Sequence, residues 1–131
     1  MSKTARGGLP RLARMTIQRI VPNLKVAEPG LGHAFYQDVL GLRKDMDLGW
    51  IATFRAPGNP AAQLSLVTRD ASAPEDSVIS VGVPDVEAVH ERALALGHPI
   101  VHPLTTEPWG VRRFFVREPN GYVVNVVMHA G

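Results

Sequence analysis

The feature of this sequence that most restricts its fold is an internal repeat, in which one order of elements occurs twice. The first copy predicts a strand at 17–26, a helix at about 31–40, and strands at about 43–47, 50–56 and 62–68. The second copy predicts a strand at 77–83, a helix at about 86–96, and strands at about 99–104, 111–117 and 122–129. Two copies are too few for a solenoid, so the pattern predicts an α+β domain made of two βαβββ modules.

Both predicted helices have clear ends and apolar stripes. Each pattern stops at a Leu-Gly pair, and Asp85 is a suitable N-cap for the second helix. The residues expected to face inward are Leu31, Phe35 and Val39 in the first helix, and Val86, Val89, Ala93 and Leu96 in the second. Each helix should therefore cover one face of the strands in its own module.

The repeat also sets the predicted boundaries. Residues 1–15 are interpreted as a basic flexible leader, and 16–131 as a single domain. Its halves, at about 17–68 and 77–129, are joined by a polar linker at 69–76. No apolar run reaches the roughly 18 residues that a membrane helix needs, and the start of the chain lacks a signal-peptide pattern. A cytoplasmic protein without membrane contact is the expectation.

The net charge of +2 comes from the leader. Its four basic residues are Lys3, Arg6, Arg11 and Arg14. Without them the chain carries 10 basic and 12 acidic groups, so it lacks the positive surplus of a nucleic-acid-binding domain. The sequence has no cysteine, which excludes disulfides and a thiol nucleophile.

Three segments resemble motifs of the vicinal oxygen chelate superfamily, which includes glyoxalase I, bleomycin-resistance proteins and extradiol dioxygenases. Residues 35–42 are similar to its first-helix signature, and 118–122 to the turn before its last strand. Residues 108–110 (Pro-Trp-Gly) resemble a segment of the bleomycin-resistance branch. The resemblance spans 17–129 and implies curved mixed sheets around a cavity, with the helices outside. It also implies a homodimer.

Strand alternation predicts which residues face that cavity, because the helices should cover the more apolar face. The predicted cavity-facing residues are Val21, Asn23, Lys25, Gln63, Ser65, Val67, Val78, Ser80, Gly82, Val123, Asn125, Val127 and His129. A shift of one residue in register would invert this assignment.

The resemblance also implies a metal site, which this sequence does not match. Aligned on its motifs, the usual histidine positions fall at Val21 and Val78, and the usual terminal glutamate falls at Asn125. Gln63 or Ser65 occupies the matching region of the fourth strand. Neutral side chains are poor ligands for zinc or a transition metal, so we expect no metal and no other cofactor. Whether the protein is an enzyme stays open.

Aromatic and basic side chains suggest how a ligand is held. Trp50 and Trp109 occupy corresponding places in the two halves and are suited to stack on a planar molecule. Arg112 or Arg113 is suited to pair with an anionic group. The alternatives are core or dimer packing for the tryptophans and solvated strand positions for the arginines. The expected ligand-binding residues are Asn23, Trp50, Gln63, Ser80, Trp109, Arg112, Arg113 and Asn125.

Three functions compete. The leading hypothesis is a metal-independent protein that binds and sequesters a small organic molecule or antibiotic. The second is a metal-dependent lyase, isomerase or dioxygenase of the same superfamily, or a metal-free enzyme with His129 or Glu107 as base. The third is a non-catalytic interaction domain with a filled cavity. An alternative of equal weight is that the amides and hydroxyls of the predicted site, Asn23, Gln63, Ser80 and Asn125, hydrogen-bond to one another and not to a ligand. His33 and His90 lie on the predicted helices and are expected to be solvated.

Overall fold

The computed structural model of this chain describes residues 16–129, so the predicted leader lies outside the described residues. Its strands are β1 (Arg19–Lys25), β2 (Arg43–Asp47), β3 (Ile51–Ala56), β4 (Asn59–Val67), β5 (Ile79–Gly82), β6 (Ile100–Glu107), β7 (Val111–Arg117) and β8 (Val123–His129). One α-helix, α1, spans Val86–Ala95. The first module instead has a 3-10 turn at Pro29–Gly32 and a π-helical turn at Phe35–Val39. No described helix is long and apolar enough to cross a membrane.

The strands form one mixed sheet in the order β2-β3-β4-β1-β5-β8-β7-β6. In each module the first strand pairs in parallel with the last, as β1 does with β4 and β5 with β8. The antiparallel β1–β5 pair joins the modules. Trp50 and Trp109 flank strands near opposite edges, yet their ring centroids lie 5.7 Å apart, so the sheet curves back on itself. The predicted α+β class, with two βαβββ modules curved around a cavity, is confirmed.

The second module packs largely as the sequence predicts. Asp85 caps α1 by accepting a hydrogen bond from the Ala88 amide over 3.1 Å. Val86 is buried with Phe114, and Val89 and Ala93 pack on the same cluster. The prediction for Leu96 is wrong, because the helix ends before it and its side chain is 52% exposed.

The first module contradicts the predicted inward stripe. Leu31, Phe35 and Val39 are 78%, 52% and 66% exposed. Its helical segment is not a regular α-helix, and π-type i→i+5 bonding places more residues in each turn, so residues three and four apart do not share one line. Tyr36 packs on Phe54 instead, with ring centroids 5.6 Å apart. An apolar surface of the first module is therefore left uncovered.

The two helical histidines are not solvated as predicted. His33 lies edge-on to Phe54 at 5.3 Å, and His90 lies edge-on to Phe114 at 4.9 Å. Both phenylalanines are fully buried. The duplicated modules thus use the same edge-on contact between an imidazole and a buried phenylalanine.

Candidate ligand-binding cavity

A cavity lies on the inner side of the curved sheet. Counting its open mouth, it holds about 940 Å³ free of protein atoms. Of the residues predicted to face it, those that line it are Val21, Asn23, Gln63, Ser65, Val67, Ser80, Asn125, Val127 and His129. The space is not filled by side chains, so the observation that would favour a non-binding interaction domain is not met.

Four predicted cavity residues do not line it. The linker residue Ala73 packs on Val123 and Phe115 and closes that end of the sheet. Lys25 and Val78 are exposed to solvent, and Gly82 lies beneath the side chain of Arg19. All four exceptions lie at the end of a strand or next to one, although two other strand-terminal residues, Val67 and His129, do line the cavity.

Seven of the expected ligand-binding residues surround the cavity: Asn23, Trp50, Gln63, Ser80, Trp109, Arg113 and Asn125. Arg112 does not. Side chains of adjacent strand residues point to opposite faces, so Arg112 projects outward, where it donates to Glu87 over 2.6 Å and to Thr106 over 2.9 Å. These seven residues line one cavity, but their role in ligand binding stays a prediction.

The cavity floor is a chain of amides and hydroxyls. Asn23 Nδ2 donates to the hydroxyls of Ser77 and Ser80, both over 3.1 Å, and Asn125 Nδ2 donates to Ser80 over 2.9 Å. The interpretation that the polar groups of the site bond to one another therefore holds for Asn23, Ser80 and Asn125. Gln63 instead donates to the Pro60 carbonyl. One acceptor is left over, because Asn125 Oδ1 is buried and has no hydrogen-bond partner among residues 16–129. Such an atom in a cavity wall is a candidate ligand contact.

Two tryptophans form the open edge of the cavity. Trp50 and Trp109 meet in an edge-to-face arrangement, with their ring planes 72° apart, and both are partly exposed. Trp109 also contacts Arg113, whose guanidinium carbon lies 5.0 Å from its ring centroid and 4.8 Å from that of Phe115. The guanidinium thus lies between two aromatic rings and orients the indole by a cation–π contact.

A buried charged cluster fixes Arg113. Its guanidinium donates to Asp70 and Glu107, each over 2.7 Å, and to Ser72 over 3.0 Å. Glu107 also contacts His102 Nε2 at 2.9 Å. The interpretation of Arg113 as a solvated strand residue is therefore wrong, and its charge is already compensated inside the protein.

The two linker aspartates at the cavity, Asp70 and Asp76, have lowered pKa values. Burial acts to raise the pKa of Asp70, but hydrogen bonds from Arg113 and Ser72 outweigh it, and the pKa lies below its usual value. Burial likewise acts to raise the pKa of Asp76, and hydrogen bonds from the Asp70 amide, Lys25 and Arg69 lower it overall. Both carboxylates are held as anions by these donors.

The positions that the superfamily uses for metal ligands do not fit a metal here. Val21 and Asn125 line the cavity, but Val78 does not. The β5 residue that pairs with both Val21 and Asn125 is Ser80. A valine methyl, a serine hydroxyl and an amide are a poor donor set for zinc or a transition metal. Within residues 16–129, no three His, Asp or Glu side chains form a group suited to hold a metal ion.

Sequence reasoning missed four charged residues of the cavity: Arg19, Asp45, Asp70 and Asp76. Asp70 lies in the segment interpreted as a polar linker, and no local pattern distinguishes it from its neighbours. Arg19 also lines the cavity, and here a signal existed, since it alternates with Val21 and Asn23 on the predicted inner face of the first strand.

The duplicated βαβββ architecture and its central cavity define a class of protein, and the sequence matches a model of that class. The model for the glyoxalase/bleomycin resistance protein/dioxygenase superfamily matches residues 25–126. The chain belongs to this superfamily. The resemblance seen in the sequence is thereby confirmed, but the match does not distinguish the bleomycin-resistance branch from the others. No curated protein matches the sequence.

Solved structures show the same fold. The methylmalonyl-CoA epimerase of Mycobacterium tuberculosis is 18% identical, with a TM-score of 0.65 and 95% of each chain covered. A superfamily member from Vibrio splendidus 12B01 is 20% identical, with a TM-score of 0.59, covering 86% of this chain and 99% of that one. The Mn(II)-bound glyoxalase of Novosphingobium aromaticivorans is 23% identical, with a TM-score of 0.61, covering 88% of this chain and 39% of that one. At these identities the likeness concerns the fold alone.

Proposed function

We propose that this protein binds a small organic molecule with a planar aromatic part in its cavity, without a metal ion. The observation that carries the proposal is the pair of tryptophans at the edge of a cavity whose floor is polar. Concave sites of this kind, apolar and aromatic with a few fixed polar groups, are typical of small-molecule binding. The ligand's ring stacks at Trp50 or Trp109, and its polar end meets the floor at Asn23, Ser80 and Asn125.

The site is better suited to holding a molecule than to transforming it. Of the two candidate bases, Glu107 contacts His102 and does not line the cavity, whereas His129 lines the cavity but its Nε2 contacts the Arg19 guanidinium. The proposed role is therefore sequestration, as in bleomycin-resistance proteins, by a cytoplasmic protein. A homodimer is part of the same proposal, supported by the uncovered apolar side chains of the first module, Leu31, Phe35 and Val39.

Intrinsic fluorescence gives a direct test, because the chain has two tryptophans and both line the cavity. We expect 2-naphthamide, or members of a panel of planar antibiotics and metabolites, to change the emission with a saturable, stoichiometric titration. Trp50→Phe and Trp109→Phe should each weaken binding by roughly threefold to tenfold. Tyr122→Phe alters an exposed aromatic residue outside the cavity and serves as the matched control. If no member of the panel produces binding heat in calorimetry or a change in tryptophan emission, the proposal loses its support.

The alternative of a metal-dependent lyase, isomerase or dioxygenase is tested by metal analysis of protein purified without added metal. Zinc, nickel, manganese or iron near one atom per chain would overturn the metal-independent proposal and place the enzyme first. A native mass recorded on the same sample tests the homodimer.

A further inference from the structure

We infer that Arg19 forms a binding site for an oxyanion of the ligand, a carboxylate or a phosphate, at the end of the cavity where β1 begins. The inference rests on the proposed function, since it specifies the chemistry of the molecule that the cavity holds. Sequence reasoning places this role on Arg112 or Arg113, but the contacts described above commit both of those side chains elsewhere.

Charge pairing around the cavity singles out Arg19. The other charged side chains of the lining, apart from His129, are all in ion pairs. These pairs are Asp45 with Arg55 at 3.1 Å, Asp70 with Arg113 at 2.7 Å, and Asp76 with Arg69 at 3.0 Å. Among residues 16–129, no carboxylate forms an ion pair with Arg19. The guanidinium therefore has a positive charge that no described acid compensates.

The backbone makes room for this side chain. Arg19 lies in register with Gly82 on β5, and a Cβ at position 82 would be 2.6 Å from Nη1 and 2.7 Å from Cζ. The guanidinium thus lies directly over the glycine, within the sheet's inner face. Nη2 contacts His129 Nε2 at 3.1 Å. Because a guanidinium only donates, Nε2 is the acceptor in this contact.

The surroundings favour an anion. Burial lowers the pKa of Arg19, although a guanidinium stays charged at neutral pH. A charge that is partly removed from water and has no counterion is stabilised when an oxyanion approaches it. The guanidinium also has several N–H groups, of which one contacts His129, so others are available for a bidentate contact.

Three matched probes test the inference: 2-naphthoate, 2-naphthyl phosphate and neutral 2-naphthamide. They share one ring system and differ in the group that would reach Arg19. We expect the wild-type protein to bind at least one of the two anions roughly tenfold or more tightly than the amide. The anion that binds more tightly identifies the source of the oxyanion.

Two variants should remove this preference. Arg19→Gln deletes the charge, and Gly82→Ala keeps the charge but displaces the guanidinium through the added Cβ. The nearest atoms to the added Cβ, Nη1, Cζ and Cγ, all belong to the Arg19 side chain and none to the backbone, so we expect the strand pairing to be retained, which circular dichroism checks. In both variants the anions and the amide should bind within about twofold of each other. Arg112→Gln removes an equal charge from the outer face and should leave the preference unchanged.

The outcomes separate the two proposals. Equal binding of all three probes to the wild-type protein, or a preference that survives in Arg19→Gln, overturns the oxyanion site and leaves the small-molecule binder in place. If none of the three probes binds, the proposed function and the oxyanion site are both overturned. A preference lost in Arg19→Gln and Gly82→Ala but kept in Arg112→Gln supports the site.

Discussion

Arg113 Nε donates to Glu107 Oε2 over 2.7 Å, and each of the two side chains is only 5% exposed. The same guanidinium binds Asp70 in the linker between the modules and lies against the indole of Trp109. One buried cation therefore joins the β6–β7 hairpin, the linker and the aromatic edge of the cavity. This makes Arg113 a structural element of the cavity wall.

Replacing Arg113 should be costly. In Arg113→Met, Asp70 and Glu107 remain buried without their shared cation, and we expect the free energy of unfolding to fall by about 3–5 kcal/mol. Trp109 also loses its cation–π contact, so the affinity for an aromatic probe should fall. Chemical denaturation and fluorescence titration measure the two effects.

Arg112→Met is the matched control for that experiment. Arg112 is the neighbouring residue and pairs with Glu87, whose side chain is half exposed, so its loss should change the free energy of unfolding by less than about 1 kcal/mol. Equal losses in the two variants would contradict the assignment of Arg113 as the buried, shared cation.

Acid should weaken the protein partly through Asp70. Its pKa is depressed in the folded state by Arg113 and Ser72 against the effect of burial, so the unfolded chain takes up the proton first. The contribution of Asp70 to stability is complete above its unfolded pKa and is lost as the pH falls toward the lower folded pKa. Below about pH 5, the free energy of unfolding should thus fall more steeply in the wild type than in Asp70→Asn. Parallel curves would exclude this role.

The two modules should respond differently to loss of an aromatic side chain. Phe114 is fully buried beneath α1, and Phe114→Ala should cost about 3–5 kcal/mol. Phe35 lies in the predicted stripe of the first module but is largely exposed, so Phe35→Ala should cost less than about 1 kcal/mol. Denaturant unfolding compares them. A large loss in Phe35→Ala, at a protein concentration where the native mass is that of a monomer, would indicate that the sequence-based stripe is correct after all.

Most of the fold could be predicted because it depends on local periodicity and on a duplication. Period-two alternation located all the strands and identified Asn23, Ser80 and Asn125 as neighbours on one face. The helix of the second module obeyed the usual spacing and cap, so its buried residues Val86 and Val89 were also found.

What escaped prediction depends on contacts between distant parts of the chain. Arg113 and Asp70 are 43 positions apart, and nothing local shows that a linker aspartate folds back onto β7. The first helical segment begins as a 3-10 turn that contains Leu31 and ends as a π-turn over Phe35–Val39, so the regular α-helical spacing on which the stripe was predicted does not hold. Burial of a charge is decided by its partner, which a one-dimensional pattern does not contain.

The sheet register predicts where a metal site can be built into this chain. Val21 pairs with Ser80, and Ser80 pairs with Asn125, so three neighbouring strands present these positions side by side toward the cavity. Adjacent strands are about 4.8 Å apart, which allows two imidazoles and a carboxylate to converge on one ion. Val21→His/Ser80→His/Asn125→Glu should bind zinc with a stoichiometry of one per chain, measured by calorimetry and mass spectrometry.

The control, Val21→His/Val78→His/Asn125→Glu, moves one histidine to the position indicated by sequence alignment, which is 42% exposed and outside the cavity. It should bind zinc roughly tenfold or more weakly, since one of three ligands is misplaced. Equal zinc affinity in the two variants would contradict the pairing of Ser80 with Val21 and Asn125.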